Sequence, residues 1–386
     1  MAFILSSENV LEYLKQQGIC QPDQELIAPV EPNEYKNFNL IVNVTGNKHY
    51  LVKQERFDGN GKASGCLKYE SISHQFLSNF SELKPIQSSI SEIVHFDPEN
   101  SIIVINYLPE YISLSEFYRR KNDYPTEIAS LLGANLAQVH RLTFEKQEYR
   151  DFLRQHAKNR SSGETPKFMR GLERIGPGIF SNVCRDGIEF FKLYQRFSSL
   201  HQAVAELHSS YQATCLTHND PRFSNYLIED LIEDQDSASI LTEIKLIDWE
   251  FFEWGDPAYD LGVLISKYLG LWLDSLFVNS DTDLNLSLSL ATCPLEKVQP
   301  SLASALQSYL SDFPEILEVR PDFIKRVVQF AGLDLIKHIQ HDVEYHKPFH
   351  NGNICTLQVA KTLLCYPEQA MSTIFGLTEF KVPATV

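Results

Sequence analysis

His218-Asn219-Asp220-Pro221-Arg222-Phe223-Ser224-Asn225 runs directly into the apolar Tyr226-Leu227-Ile228, and the fold of this chain turns on that stretch. A histidine, a carboxylate two residues on, and an amide five residues further gather three polar side chains around one loop at the start of a strand. Asp and Asn also serve ordinary turns through Asx capping, so the loop alone does not decide its chemistry. Two later segments add to it. Ile244-Lys245-Leu246-Ile247-Asp248-Trp249-Glu250 reads as a second strand ending on a carboxylate. Gly255-Asp256-Pro257-Ala258-Tyr259-Asp260-Leu261-Gly262 reads as the start of a helix.

Outward from this core, the pattern changes near residue 109. Before it, residues 38–44 and 49–53 alternate as two strands around Thr45-Gly46-Asn47-Lys48. A second strand pair, 92–96 and 101–107, flanks Asp97-Pro98-Glu99-Asn100, and residues 67–80 have helical spacing. Residues 7–17 predict a short helix with Ser7 as N-cap and Gly18 as stop. After residue 109 the chain is mostly helical, with candidates at 126–141, 187–209, 257–275, 301–311, 321–346 and 353–365. The exception is the strand pair 225–229 and 241–249, separated by the polar residues 230–239. Residues 274–300, rich in Ser, Asp, Asn and Leu, read as a flap or an insertion.

The ordered set of motifs resembles the aminoglycoside phosphotransferase and choline kinase family. That family's catalytic loop reads His-x-Asp-x-x-x-x-Asn, its metal strand Ile-Asp-Trp/Phe-Glu, followed by a Gly-Asp-Pro…Asp-Leu segment. The resemblance covers 215–262 most closely, extends over 38–110, and includes the helix at 131–140. It implies an α+β, bilobal protein-kinase-like fold. A small antiparallel-sheet lobe, residues 1–108, would bind nucleotide, and a larger, mostly helical lobe, residues 109–386, would carry catalysis and substrate binding, with a cleft between them. It also implies ATP and Mg²⁺ as cofactors. Phosphoryl transfer needs an in-line hydroxyl, neutralised phosphate charge and a place for the hydroxyl proton. Asp220 would accept that proton, and Asn225 and Asp248 would hold Mg²⁺ through oxygen. Arg222 stands where protein kinases carry a lysine that touches the transferred phosphate. His218 would be a buried strut and Asp260 a brace for the loop. Glu250 reads equally as metal-adjacent or as a solvent-facing strand residue.

In the first lobe the resemblance calls for a strand lysine held by a helical glutamate, and Lys53 and Glu70 fit. The backbone of Asn106 and Leu108, in Asn106-Tyr107-Leu108-Pro109, would meet adenine. A Gly-x-Gly-x-x-Gly turn is missing; its equivalent falls near Pro32-Asn33-Glu34-Tyr35-Lys36-Asn37, and no phosphate-cradling residue is assigned. Beyond residue 265 the resemblance ends, which leaves the acceptor open.

The net charge of −16 offers no basic stripe for nucleic acid and weakly favours a cationic substrate. Seven scattered cysteines without a Cys-x-x-Cys pair argue against disulfides and a zinc site. No apolar run reaches bilayer length, so neither nucleic acid nor membrane is expected as a partner, and the reading is cytoplasmic. The expected substrate is a small-molecule hydroxyl. Phosphorylation of a Ser/Thr precursor peptide is the alternative, although no Asp-Phe-Gly or Ala-Pro-Glu is present. A pseudokinase scaffold is the non-enzymatic reading. His338, His341, Asp342, His346 and His350 read as a polar helix edge or as a substrate contact.

Overall fold

The computed structural model describes residues 3–34, 37–165, 169, 172, 184–230, 243–278, 284–344 and 348–376. Part of the glycine-poor turn at 32–37, residues 231–242, residues 279–283 of the expected flap, and His346 lie outside the described residues. The chain forms two compact units, each discontinuous in sequence.

The first comprises Met1–Phe117, Gln147–Ser161 and Ser224–Phe252. Its main sheet has five antiparallel strands: β1 (Pro32–Glu34), β2 (Phe38–Val44), β3 (Lys48–Gln54), β4 (Ile93–Asp97) and β5 (Ile102–Asn106), in the order β1-β2-β3-β5-β4. Side chains on a strand alternate between faces, so register decides which residues meet. Leu40, Val42, Val44, Tyr50, Val52, Ile102 and Val104 form one buried cluster with Val10, Tyr13 and Leu14 of helix α1 (Val10–Gln16). Ile103 and Ile105 form another with Leu67 of helix α2 (Cys66–Asn79). Lys53 pairs with Ile103 in the β3–β5 register and thus belongs to the α2 face. A smaller sheet, order β6-β8-β9, joins Tyr111–Ser113, Tyr226–Glu229 and Ile244–Leu246. Helices α3 (Lys84–Ser88) and α6 (Gln147–His156) complete this unit; α4 (Leu114–Lys121) and α5 (Thr126–Thr143) lie between them in sequence.

The second unit comprises Tyr118–Lys146, Ser162–Phe223 and Glu253–Val386. A two-stranded pair, β7 (Cys215–Thr217) with β10 (Glu253–Gly255), leads into the loop at 218–223. The helices after α6 are α7 (Arg185–Gln195), α8 (Ser198–Ser209), α9 (Pro257–Leu273), α10 (Leu284–Ser289), α11 (Leu295–Asp312), α12 (Glu315–Val319), α13 (Phe323–Glu344), α14 (Asn351–Cys365) and α15 (Pro367–Phe375). In α5, Gly133 runs against the backbone of α11: a methyl group there would overlap the Ala305 carbonyl. Gly133→Ala is therefore expected to destabilise the fold by about 1–3 kcal/mol, measured by chemical denaturation; an unchanged midpoint would refute the close packing.

Several local expectations change. Ser7 does not cap α1, which begins after Asn9; the Asn9 and Ser6 side chains instead exchange bonds with each other's backbone N–H, and Gly18, at φ +71°, ends the turn. The single helix expected over 187–209 is two, because Phe197 leaves the helical region at ψ 86°. The helix expected at 301–311 starts at Leu295 and contains Pro300, whose missing hydrogen bond is offset by burial of Val298, Leu302 and Leu306. Residues 274–300 include α10 and the first turns of α11.

Candidate active site

In the first unit, Lys53 Nζ lies 3.4 Å from Glu70 Oε1 and 3.1 Å from Asp248 Oδ1. Its side chain is 10% exposed, Glu70's 3% and Asp248's 25%, so this is a nearly dry ion cluster. Burial opposes the ammonium charge, but Glu70 and Asp248 outweigh it and hold Lys53 above its ordinary value. Burial also pushes the Glu70 carboxyl up, against the pull of Lys53.

The helix that carries Glu70 is anchored at its start by a residue the sequence reading passed over. Buried Glu55, two residues after Lys53, accepts from the amides of Gly65 (3.0 Å) and Cys66 (2.6 Å) and from the Ser64 hydroxyl (2.5 Å). It caps the helix N-terminus from the end of β3, so Lys53 and Glu70 are fixed by one local structure. The period-two alternation of β3 was the only signal that could have pointed to it.

Asp248 follows β9 in the left-handed region, at φ 68° and ψ 54°, which Asp tolerates better than most residues. The adjacent Ile247 N–H donates to the Asn225 carbonyl at 2.8 Å, so Asn225 and Asp248 flank one backbone bond at the same end of the β8–β9 pair. Glu250, which sequence left ambiguous, is buried in the turn after Asp248.

A cavity of about 310 Å³ opens beside these residues within the same unit. Leu51, Ile105 and Leu227 supply apolar walls, and Lys53, Glu70 and Asp248 its polar end. Asn106 and Leu108 both line it. The Asn106 N–H is bonded to the Glu92 carbonyl and the Tyr107 N–H to the His49 carbonyl, so neither amide is spare. His74, one helical turn beyond Glu70, also lines it; burial and the charge of Lys53 lower its imidazole to about 4, leaving it neutral near pH 7.

In the second unit, Asp260 is fully buried and organises the loop. Its carboxylate accepts from the amides of His218 (2.6 Å) and Asn219 (2.8 Å), and His140 Nε2 lies 3.3 Å away. Asn219 is left-handed, at φ 66°. His218 is fully buried and takes the Asp220 N–H on Nδ1 at 3.2 Å. Asp256 caps α9 through the Ala258 amide and pairs with buried Arg326 at 2.5 Å, which fixes the helix carrying Asp260. Asp220 meets Arg222 Nε at 3.1 Å, the arginine being half exposed.

Of the expected histidine cluster, His338 and Asp342 are 3.7 Å apart on α13, while His350 caps α14 through Asn353. Among the described residues no group of three His, Cys, Asp or Glu could hold a metal ion. No helix among them is long and apolar enough to cross a membrane.

A small antiparallel sheet with a lysine–glutamate pair in one unit, and a helix-braced His-Asn-Asp loop in the other, define a protein-kinase-like fold of the α+β class. The model of the phosphotransferase enzyme family (APH) matches residues 44–283, and the chain belongs to that family. It is a kinase. Over 191 residues it is 26% identical to a 4-hydroxytryptamine kinase of Psilocybe cyanescens, covering 47% of this chain and 46% of that one. The match thus spans about half the length of the curated relative. An ethanolamine kinase of Plasmodium vivax shares the fold, with TM-score 0.53, 15% identity and 96% of each chain covered. A choline kinase of Streptococcus pneumoniae is similar at TM-score 0.48 and 16% identity, over 92% of this chain and 98% of that one.

Proposed function

We propose that this kinase uses ATP with Mg²⁺ to phosphorylate a hydroxyl group of a small molecule. The observation that carries the reading is Lys53, held between Glu70 and Asp248 in a cavity that has apolar walls at Leu51, Ile105 and Leu227. Apolar walls suit a purine base, and a buried ammonium suits a nucleotide phosphate. The donor set also suits Mg²⁺: the Asp248 carboxylate and the Asn225 amide are hard oxygen ligands that leave the remaining positions to water and phosphate. Once bound, Mg²⁺ would neutralise phosphate charge. The chain's own residues do the rest. Lys53 binds and orients the phosphates, and Asp220 accepts the acceptor's hydroxyl proton. The acceptor oxygen then bonds to the γ-phosphorus as the bond from the β–γ bridging oxygen breaks, releasing ADP. Arg222 supplies positive charge for the phosphoryl oxygens.

The acceptor is read as an alcohol or phenol that also bears an amine. The name of the Psilocybe relative and the net charge of −16 support that choice. Thermal unfolding with Mg²⁺ and ATP tests the nucleotide site, because a ligand of the folded state alone raises the melting temperature. At a hundredfold excess over Kd the wild type should gain about 2.7 kcal/mol, and Asp248→Asn much less. A wild type that responds to neither ATP nor GTP would sink the proposal.

A further inference from the structure

Residues 147–161 lie far from α2 in sequence, yet they belong to the same compact unit. At the C-terminal end of α2, Phe76 and Phe80 pack against Tyr149 and Phe152 of α6 in edge and tilted geometries, with ring centroids 4.6–5.8 Å apart. The Tyr149 hydroxyl also donates to Glu82 at 3.2 Å. Near the other end of α2, the Arg160 guanidinium lies 4.6 Å from the centroid of the Tyr69 ring, and Tyr69 immediately precedes Glu70. The same guanidinium donates from Nη2 to the Glu250 carbonyl at 3.1 Å, two residues after Asp248. Short turns hold the arginine itself: its N–H donates to the Ala157 carbonyl at 2.7 Å, and Arg150 Nε reaches the Ser161 carbonyl at 3.4 Å.

We propose that Arg160 is a positioning residue, tying the helix that carries Glu70 to the turn that follows Asp248 so that both carboxylates stay on Lys53. Only a planar, forked cation can stack on the ring and donate in its plane to a carbonyl at once. A lysine keeps the charge but serves one partner at a time. The role in turnover rests on the nucleotide site proposed above, whereas the mechanical coupling does not.

Hydrogen–deuterium exchange of the full chain therefore gives the primary test. Arg160→Ala should speed exchange in residues 66–79 and 249–252 by about tenfold, with Arg160→Lys in between. Tyr69→Leu should speed exchange in 66–79, and Tyr69→Phe should match wild type. In turnover, Arg160→Ala should raise the nucleotide KM about fivefold to tenfold, leave the acceptor KM unchanged, and be partly rescued by lysine. Wild-type exchange in both segments of Arg160→Ala would overturn the proposal. So would faster exchange spread evenly over both units, or a loss of activity that lysine does not relieve. If Arg160→Ala folds poorly, Tyr69→Leu against Tyr69→Phe decides the question. A missing Mg²⁺–ATP response in wild type would count against the nucleotide site alone, since the exchange pattern does not depend on it.

Discussion

Asp220→Asn is expected to lower kcat by about 10²–10⁴-fold, the range ascribed to a positioned general base, while the Mg²⁺–ATP thermal shift survives. The amide keeps the size and hydrogen-bonding shape of the side chain but cannot take a proton. A fall of less than tenfold would remove Asp220 from the proton-accepting role. The same substitution has a second expected result. Burial raises the Asp220 carboxyl above the usual aspartate range, and Arg222, Lys337, His218 and Lys267 pull it back without cancelling the rise. Folding therefore disfavours the charged form. Its contribution is most favourable below the unfolded value of about 3.9 and is lost as pH climbs through the higher folded value. At pH 7 Asp220→Asn should melt above wild type, and the gap should close as pH falls toward 4. The acid limb of kcat should lie above that of an ordinary aspartate, because the base must be ionised to act. Equal melting temperatures at pH 7 would show that the charge is fully compensated.

Lys53→Met should lower the unfolding free energy by about 3–5 kcal/mol and abolish the Mg²⁺–ATP shift. Glu70, Asp248 and Glu250 all bear electrostatically on this one ammonium. Removing it leaves Glu70, 3% exposed, facing two other carboxylates without a cation. A buried charge stripped of its partner is far costlier than an apolar pair of similar volume. Adding Glu70→Leu to Lys53→Met should recover most of the stability and none of the nucleotide response. The penalty for Lys53→Met should also shrink at lower pH, since a proton on Glu70 relieves the repulsion. Chemical denaturation of the two single variants and the double variant at pH 6 and 8 checks all three statements. Additive effects would deny that Lys53 and Glu70 act as a pair.

How legible each part was follows from how local its cause is. Strands β2 and β3 were readable because alternation and a Gly-Asn turn act over a few residues. Strand β5 was readable as a short continuous apolar run after a turn, and α2 because its apolar spacing is regular. The three-residue strands Cys215–Thr217 and Glu253–Gly255 were not, being too short for any pattern. The helix expected from residue 301 extends back through Pro300 to Leu295, because helix packing overrides the proline. Phe197 carried no breaker signal, although the chain turns there. At the site, the residue types and their order along 218–260 named the candidates. Sequence could not say that Glu55 caps the Glu70 helix, or that Arg160 reaches both Tyr69 and Glu250. The cap spans a loop, 11 residues from Glu55 to Cys66, and the arginine contact with Glu250 spans 90 residues, so no local pattern contains either.

By itself, then, the sequence determined which side chains this protein can offer: a loop aspartate, an asparagine and an aspartate with oxygen donors, a strand lysine and a helical glutamate, in the order of the phosphotransferase family. The tertiary structure decided which of these groups touch and how they are charged. Burial withdraws water from all three. For Lys53 the carboxylates of Glu70 and Asp248 more than offset the loss, and it keeps its proton. Around Glu70 and Asp220 the neighbouring cations return only part of it, and both carboxyls are pushed up. Solvation is a property of the packed neighbourhood, and no run of residues along the chain contains it.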